Sequence, residues 1–139
     1  MRMTWFISSI LAAIFLAVGF LLAKKLSLES VPLTIALLFI WGISSIILLG
    51  YLLYSKQSIH LSSPILGLLV LTAVATLLGN LFLYKGIYTA PNPGYATAIG
   101  SIQVLIVVLL SVMLFGLEFS LLKLAATILI LIGVIILGL

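Results

Sequence analysis

The chain contains no cysteine, one histidine and only two acidic residues, Glu29 and Glu118. Without thiols there is no disulfide, thiolate metal site or cysteine nucleophile. One histidine (His60) and two carboxylates are a poor inventory for a metal centre. They are equally poor for a carboxylate pair doing acid–base work. No cofactor or metal is expected, and the chain is not read as an enzyme. Charge of either sign is scarce: charged residues make up 6% of the chain, hydrophobic residues 65%. An ordinary soluble domain carries about 25% charged residues, so that class is excluded. The net charge of +4 raises the question of nucleic acid. The basic residues are scattered at the ends of apolar runs and form no patch, so nucleic acid is not an expected partner.

What the chain does have is long apolar runs. Roughly 20 such residues cross the hydrocarbon core as a helix, and the sequence supplies that length repeatedly. The runs are continuous rather than alternating, which excludes a spanning β-barrel. The expected fold class is an all-α integral membrane protein in contact with a lipid bilayer. Five spans are read, at about 4–23, 32–54, 64–88, 93–115 and 120–139, forming a single domain over 1–139. Arg2 precedes the first run and Lys24-Lys25 end it. A cleaved signal peptide competes for this segment, but lysines stand where small cleavage-site residues belong. Pro32 and Pro64 suit first helical turns, and Asn92-Pro93 reads as a cap followed by a first-position proline. The most polar loop, Ser55 to Ser63, holds Lys56, Gln57 and His60; His60 reads as a solvated loop residue rather than a proton relay.

The stretch Leu78 to Ser111 organises the rest. It ends the third helix, turns on Pro91-Asn92-Pro93-Gly94 and opens the fourth. Thr72, Thr76, Asn80, Tyr84 and Tyr88 recur every four residues, a slanted stripe on a helix. Polar groups in lipid are costly unless they find a partner or water, so the stripe should face the bundle interior. The threonines read as interhelical hydrogen-bonding residues; Asn80 and Tyr84 read as cavity residues. Lys85 lies about one turn from the helix end, where it either snorkels or contacts substrate. Thr97 and Ser101 are one turn apart in the fourth helix. Gln103 lies deeper and needs partners for its amide. Trp41 stands near mid-span, as a packing residue or a cavity wall. The substrate-cavity candidates are therefore Asn80, Tyr84, Lys85, Thr97, Ser101, Gln103 and Trp41.

The basic residues divide evenly between the two membrane faces. Five spans put Arg2, Lys56 and Lys123 on one side and Lys24, Lys25 and Lys85 on the other. Orientation normally follows a lysine and arginine excess in cytoplasmic loops, and here neither side has one. The expectation is dual topology, with two oppositely inserted copies forming an antiparallel homodimer. The alternative is a separately encoded, oppositely oriented partner subunit.

Asn80-Leu81-Phe82-Leu83-Tyr84, Ile87-Tyr88-Thr89-Ala90-Pro91, Ala96 to Ser101, Leu114 to Ser120 with its Leu-Glu turn, and Ile132-Gly133-Val134 resemble the EamA-like repeat of the drug/metabolite transporter superfamily. The resemblance covers essentially the whole chain as one five-helix repeat. Most members of that family carry two such repeats, one inverted relative to the other, so a single repeat implies a dimer. It also implies a central cavity lined partly by the third and fourth helices. The related small multidrug resistance proteins use a glutamate in their first helix for proton coupling. No acid stands in the first helix here, which argues against that device. Glu118 matches the family's turn acid, with a structural role implied.

The leading expectation is a subunit moving small solutes or metabolites by alternating access. It would sit in a cell membrane, the prokaryotic plasma or inner membrane. The readings kept beside it are a non-transporting scaffold or accessory subunit and a lipid-linked flippase subunit.

Overall fold

The computed structural model describes residues 4–56, 62–116 and 120–138. Arg2, Gln57, His60 and the turn containing Glu118 lie outside the described residues. Every regular element among the described residues is an α-helix: α1 (Thr4–Leu28), α2 (Leu33–Ser55), α3 (Ser63–Thr89), α4 (Pro93–Gly100), α5 (Ile102–Phe115) and α6 (Leu121–Gly138). Among the described residues, four stretches are long and apolar enough to cross a membrane: 6–28, 33–55, 63–89 and 93–115. The fifth expected span corresponds to α6, whose 18 residues rise about 27 Å at helical pitch. That is near the lower end of what crosses a hydrocarbon core. The protein is an all-α, multi-pass membrane protein.

Most expected helix limits lie within one residue of the structure, and two differ by more. The first is the end of α1, placed by the sequence at Ala23. The helix continues through Lys24 and Lys25 to Leu28. Lysine is a good helix former whose long stem carries the charge outward, so the pair marks the edge of the membrane and not the end of the helix. The stop comes at Ser30, in the left-handed region at φ 59°. Ser30 N–H donates to Ser27 O at 3.1 Å, and Val31 N–H donates to Leu26 O at 3.0 Å. These paired bonds are a Schellman ending, which satisfies carbonyls that the helix leaves open. Pro32 then precedes α2 as its cap residue, and its carbonyl accepts from Ala36 N–H.

The second difference is larger. The expected fourth helix, 93–115, is broken at Ser101 into α4 and α5. Ser101 N–H is shared between Thr97 O and Ala98 O, and Val104 N–H reaches back only three residues to Ser101 O. The Ser101 hydroxyl donates to Ala98 O as well. These short-range bonds are one tight turn of 3₁₀ character. A Gly-Ser pair is a known cause of such breaks: glycine lowers helix stability, and serine competes for the helix's own carbonyls. The opening of α4 follows the sequence expectation. Asn92 Oδ1 accepts from Gly94 N–H at 2.8 Å, with Pro93 in the first turn.

The chain divides into two compact units, Met1–Tyr88 and Thr89–Leu139. In the first, the C-terminal end of α1, the start of α2 and the C-terminal end of α3 lie at one end. The buried residues are all there: Ala23, Ala36, Leu37, Tyr84 and Ile87. The rest of each helix is exposed, with residues 6–18, 41–51 and 62–79 uncovered throughout. In the second unit, α6 packs along both α4 and α5 and buries Thr127 and Val134. The apolar exterior needs no soluble explanation, since lipid solvates it.

Candidate functional site

In the first unit the polar residues are engaged in two different ways. Along the exposed lengths they use their own helix. Ser44 Oγ donates to Ile40 O at 2.7 Å. Thr72 Oγ1 donates to Leu68 O at 2.8 Å. Asn80 Nδ2 donates to Thr76 O at 2.9 Å. Each bond runs to the carbonyl four residues earlier, which settles a donor in lipid without help from another helix. The demand for an interior partner, argued from the stripe Thr72–Thr76–Asn80, is thus partly met locally. Asn80 still has a second amide N–H and a carbonyl oxygen with which to meet a solute or another helix.

Toward the end of α3 the residues turn to α1 instead. Tyr84 is buried, with its ring set edge-on to Phe20 at 5.9 Å and 75°, a favourable aromatic geometry. It thus packs against α1 within this unit. Tyr88 O accepts from Lys24 Nζ at 3.1 Å and from Ser27 Oγ at 3.0 Å. The Tyr88 hydroxyl is enclosed and has no hydrogen-bond partner among the described residues. Lys85 is exposed near the same end, and Trp41 is exposed on α2.

In the second unit the break at Ser101 faces α6. Ser101, Ile102 and Leu105 from the broken helix, with Thr127, Ile130 and Leu131 from α6, line a shallow surface groove that encloses no cavity. Two hydroxyl-bearing residues meet there on otherwise apolar walls. Thr97 sits one turn before the break, its Oγ1 donating to Gly94 O at 2.9 Å. Gln103 is exposed and takes no part in the groove. Of the seven sequence candidates, only Ser101 lines it. Thr127 was missed. The one available signal was a lone hydroxyl inside the apolar run Leu124–Ile136, a place where polar side chains are rare. Among the described residues no cluster of histidine, aspartate or glutamate could hold a metal ion.

Broken helices at membrane depth occur where backbone is covered by protein or lines a cavity. Solute transporters use them in that way. The family model of the EamA-like transporter family matches residues 3–139. The chain belongs to the EamA-like transporter family. This EamA-like chain is therefore a multi-pass protein of a family that carries small solutes across membranes rather than one of enzymes. No curated protein and no solved structure matched it.

Proposed function

We propose that this EamA-like chain is half of a small-solute transporter, completed by a second copy inserted the opposite way up in a prokaryotic cell membrane. The 1–139 chain is then one five-helix repeat. The antiparallel pair supplies, from a single sequence, the inverted-repeat plan by which many secondary transporters expose a midplane site to each side in turn. The observation that carries the dimer is the charge balance. Lys24 is bonded to the end of α3, so Lys24, Lys25 and Lys85 share one end of the first unit, while Lys56 caps α2 at the other. With three basic residues assigned to each face, no insertion direction is favoured.

Asn80, Lys85, Thr97, Ser101 and Gln103 are proposed to border the solute path, with Tyr84 and Trp41 as aromatic walls beside it. The groove at Ser101 and Thr127 supports this reading, because it joins polar groups to a break in the helix. A path can be tested without knowing the solute. The protein has no native cysteine, so single replacements Asn80→Cys and Ser101→Cys report only on those positions. In membranes, both are expected to react with a polar, membrane-impermeant thiol reagent. Silence at both, while a loop control such as Ser62→Cys reacts, would remove the path and leave a packed scaffold. Given a path, Asn80→Ala and Gln103→Ala are expected to lower solute flux while insertion and assembly persist.

A further inference from the structure

The carbonyl of Tyr88 is one that α3 does not supply for itself. Three residues on is Pro91, which has no N–H. Four residues on is Asn92, past the helix end in extended backbone at φ −127°, ψ 123°. Two side chains of α1, three residues apart and so on one helix face, deliver donors to this oxygen: Lys24 Nζ at 3.1 Å and Ser27 Oγ at 3.0 Å. A carbonyl has two lone pairs, and both donors fit that capacity. One donor is an ammonium, and it sits at the negative end of the α3 dipole. Both bonds are partly buried, where solvent competes less.

We propose that Lys24 and Ser27 are a latch that closes one mouth of the transport path by fastening α1 to the end of α3. The proposal rests on the alternating-access reading. Buried residues stand next to the bonded ones on both helices. Ala23 is 1% exposed and Ile87 fully buried, and Phe20 meets Tyr84 one turn deeper. Beyond that point α1 is exposed from Phe6 to Val18 and α3 from Ser63 to Gly79. The hydrogen bonds and the ring contact described between the two helices all lie at this one end. A fastening by side-chain hydrogen bonds and an aromatic contact at one end is also reversible, as a gate requires, whereas a long interdigitated seam is not. Lys24 and Ser27 are thus positioning residues: they set the gate and need not touch solute.

The test uses nitroxide labels on Leu22→Cys and Phe82→Cys, both on exposed surfaces next to the latch. Labelled chain is diluted with excess unlabelled chain in lipid nanodiscs, so each measured distance lies within one copy. In the otherwise native chain a short α1–α3 distance is expected to dominate, with a minor longer population. The variant Lys24→Met with Ser27→Ala is expected to raise the ratio of long to short by about tenfold. Lys24→Arg, which still donates to a carbonyl, is expected to keep the short distance. Should the double variant fail to insert, Ser27→Ala alone is expected to raise the ratio by about threefold. An unchanged ratio in whichever of these variants inserts overturns the latch. A native chain fixed at one short distance, with the variant fixed at a long one, would sustain the latch and refute alternating access.

Discussion

Replacing Ile87 with alanine tests where this protein keeps its packing. Ile87 is fully buried, while Ile46 on α2 is 71% exposed. In water both would lose transfer free energy on truncation. In lipid that term nearly cancels, because acyl chains are as apolar as isoleucine. What survives is dispersion. A large buried aliphatic side chain makes some 40–60 contacts worth about 0.1–0.2 kcal/mol each. Truncation to alanine removes three of the four side-chain carbons. At the buried site roughly 30 or more contacts are lost, and the surroundings refill only part of the void. The expected cost of Ile87→Ala is about 2–4 kcal/mol. At Ile46 lipid flows into the space, and about 0.5 kcal/mol or less is expected. Reversible unfolding of both variants in mixed micelles, titrated with a denaturing detergent, gives the comparison. Equal losses at the two sites would refute the claim that the first unit is held together at one end.

Asn92→Ala removes the acceptor for Gly94 N–H and is expected to destabilise α4 by about 1 kcal/mol, with Asn92→Asp restoring most of it; the same unfolding titration reads both. Gly116 holds φ 60° at the end of α5, so Gly116→Ala is expected to cost about 1 kcal/mol, whereas Gly133→Ala meets no atom within 4 Å and is expected to be neutral or mildly stabilising. Lys56→Gln leaves two basic residues against three, and the lysine-rich face should then become cytoplasmic in most copies. Under five spans that carries the C-terminus to the cytoplasm, which a side-specific C-terminal reporter detects.

The all-helical membrane fold was legible because hydropathy over long runs is a property of the sequence alone. So was the Asn92-Pro93 start of α4, where cap and proline act within three residues of each other. The extension of α1 past Lys24 was less legible, since lysine signals the membrane edge and a helix interior equally well. The break at Ser101 escaped because Thr97 and Ser101 were read as side chains offered to a cavity. Their hydroxyls in fact bond to carbonyls of their own helix, and the Gly100-Ser101 pair was the available cue. The local bond of Asn80 was hidden in the same manner, because its partner is a backbone carbonyl, which no residue pattern advertises. The contact of Tyr84 with Phe20 was not legible from the stripe, because it depends on how α1 meets α3. Thr127 was hidden by the uniform hydropathy around it. Tertiary contacts decided the last two, and a sequence states them only indirectly.

Two copies of one chain, oppositely inserted, are proposed to complete each other. The direct measurement fuses to the C-terminus a reporter active only in the cytoplasm and, separately, one active only on the far side. Comparable signal from both is the predicted result and gives two orientations in one membrane. Signal from one alone would contradict the claim, fixing the orientation and requiring a different chain to supply the inverted half.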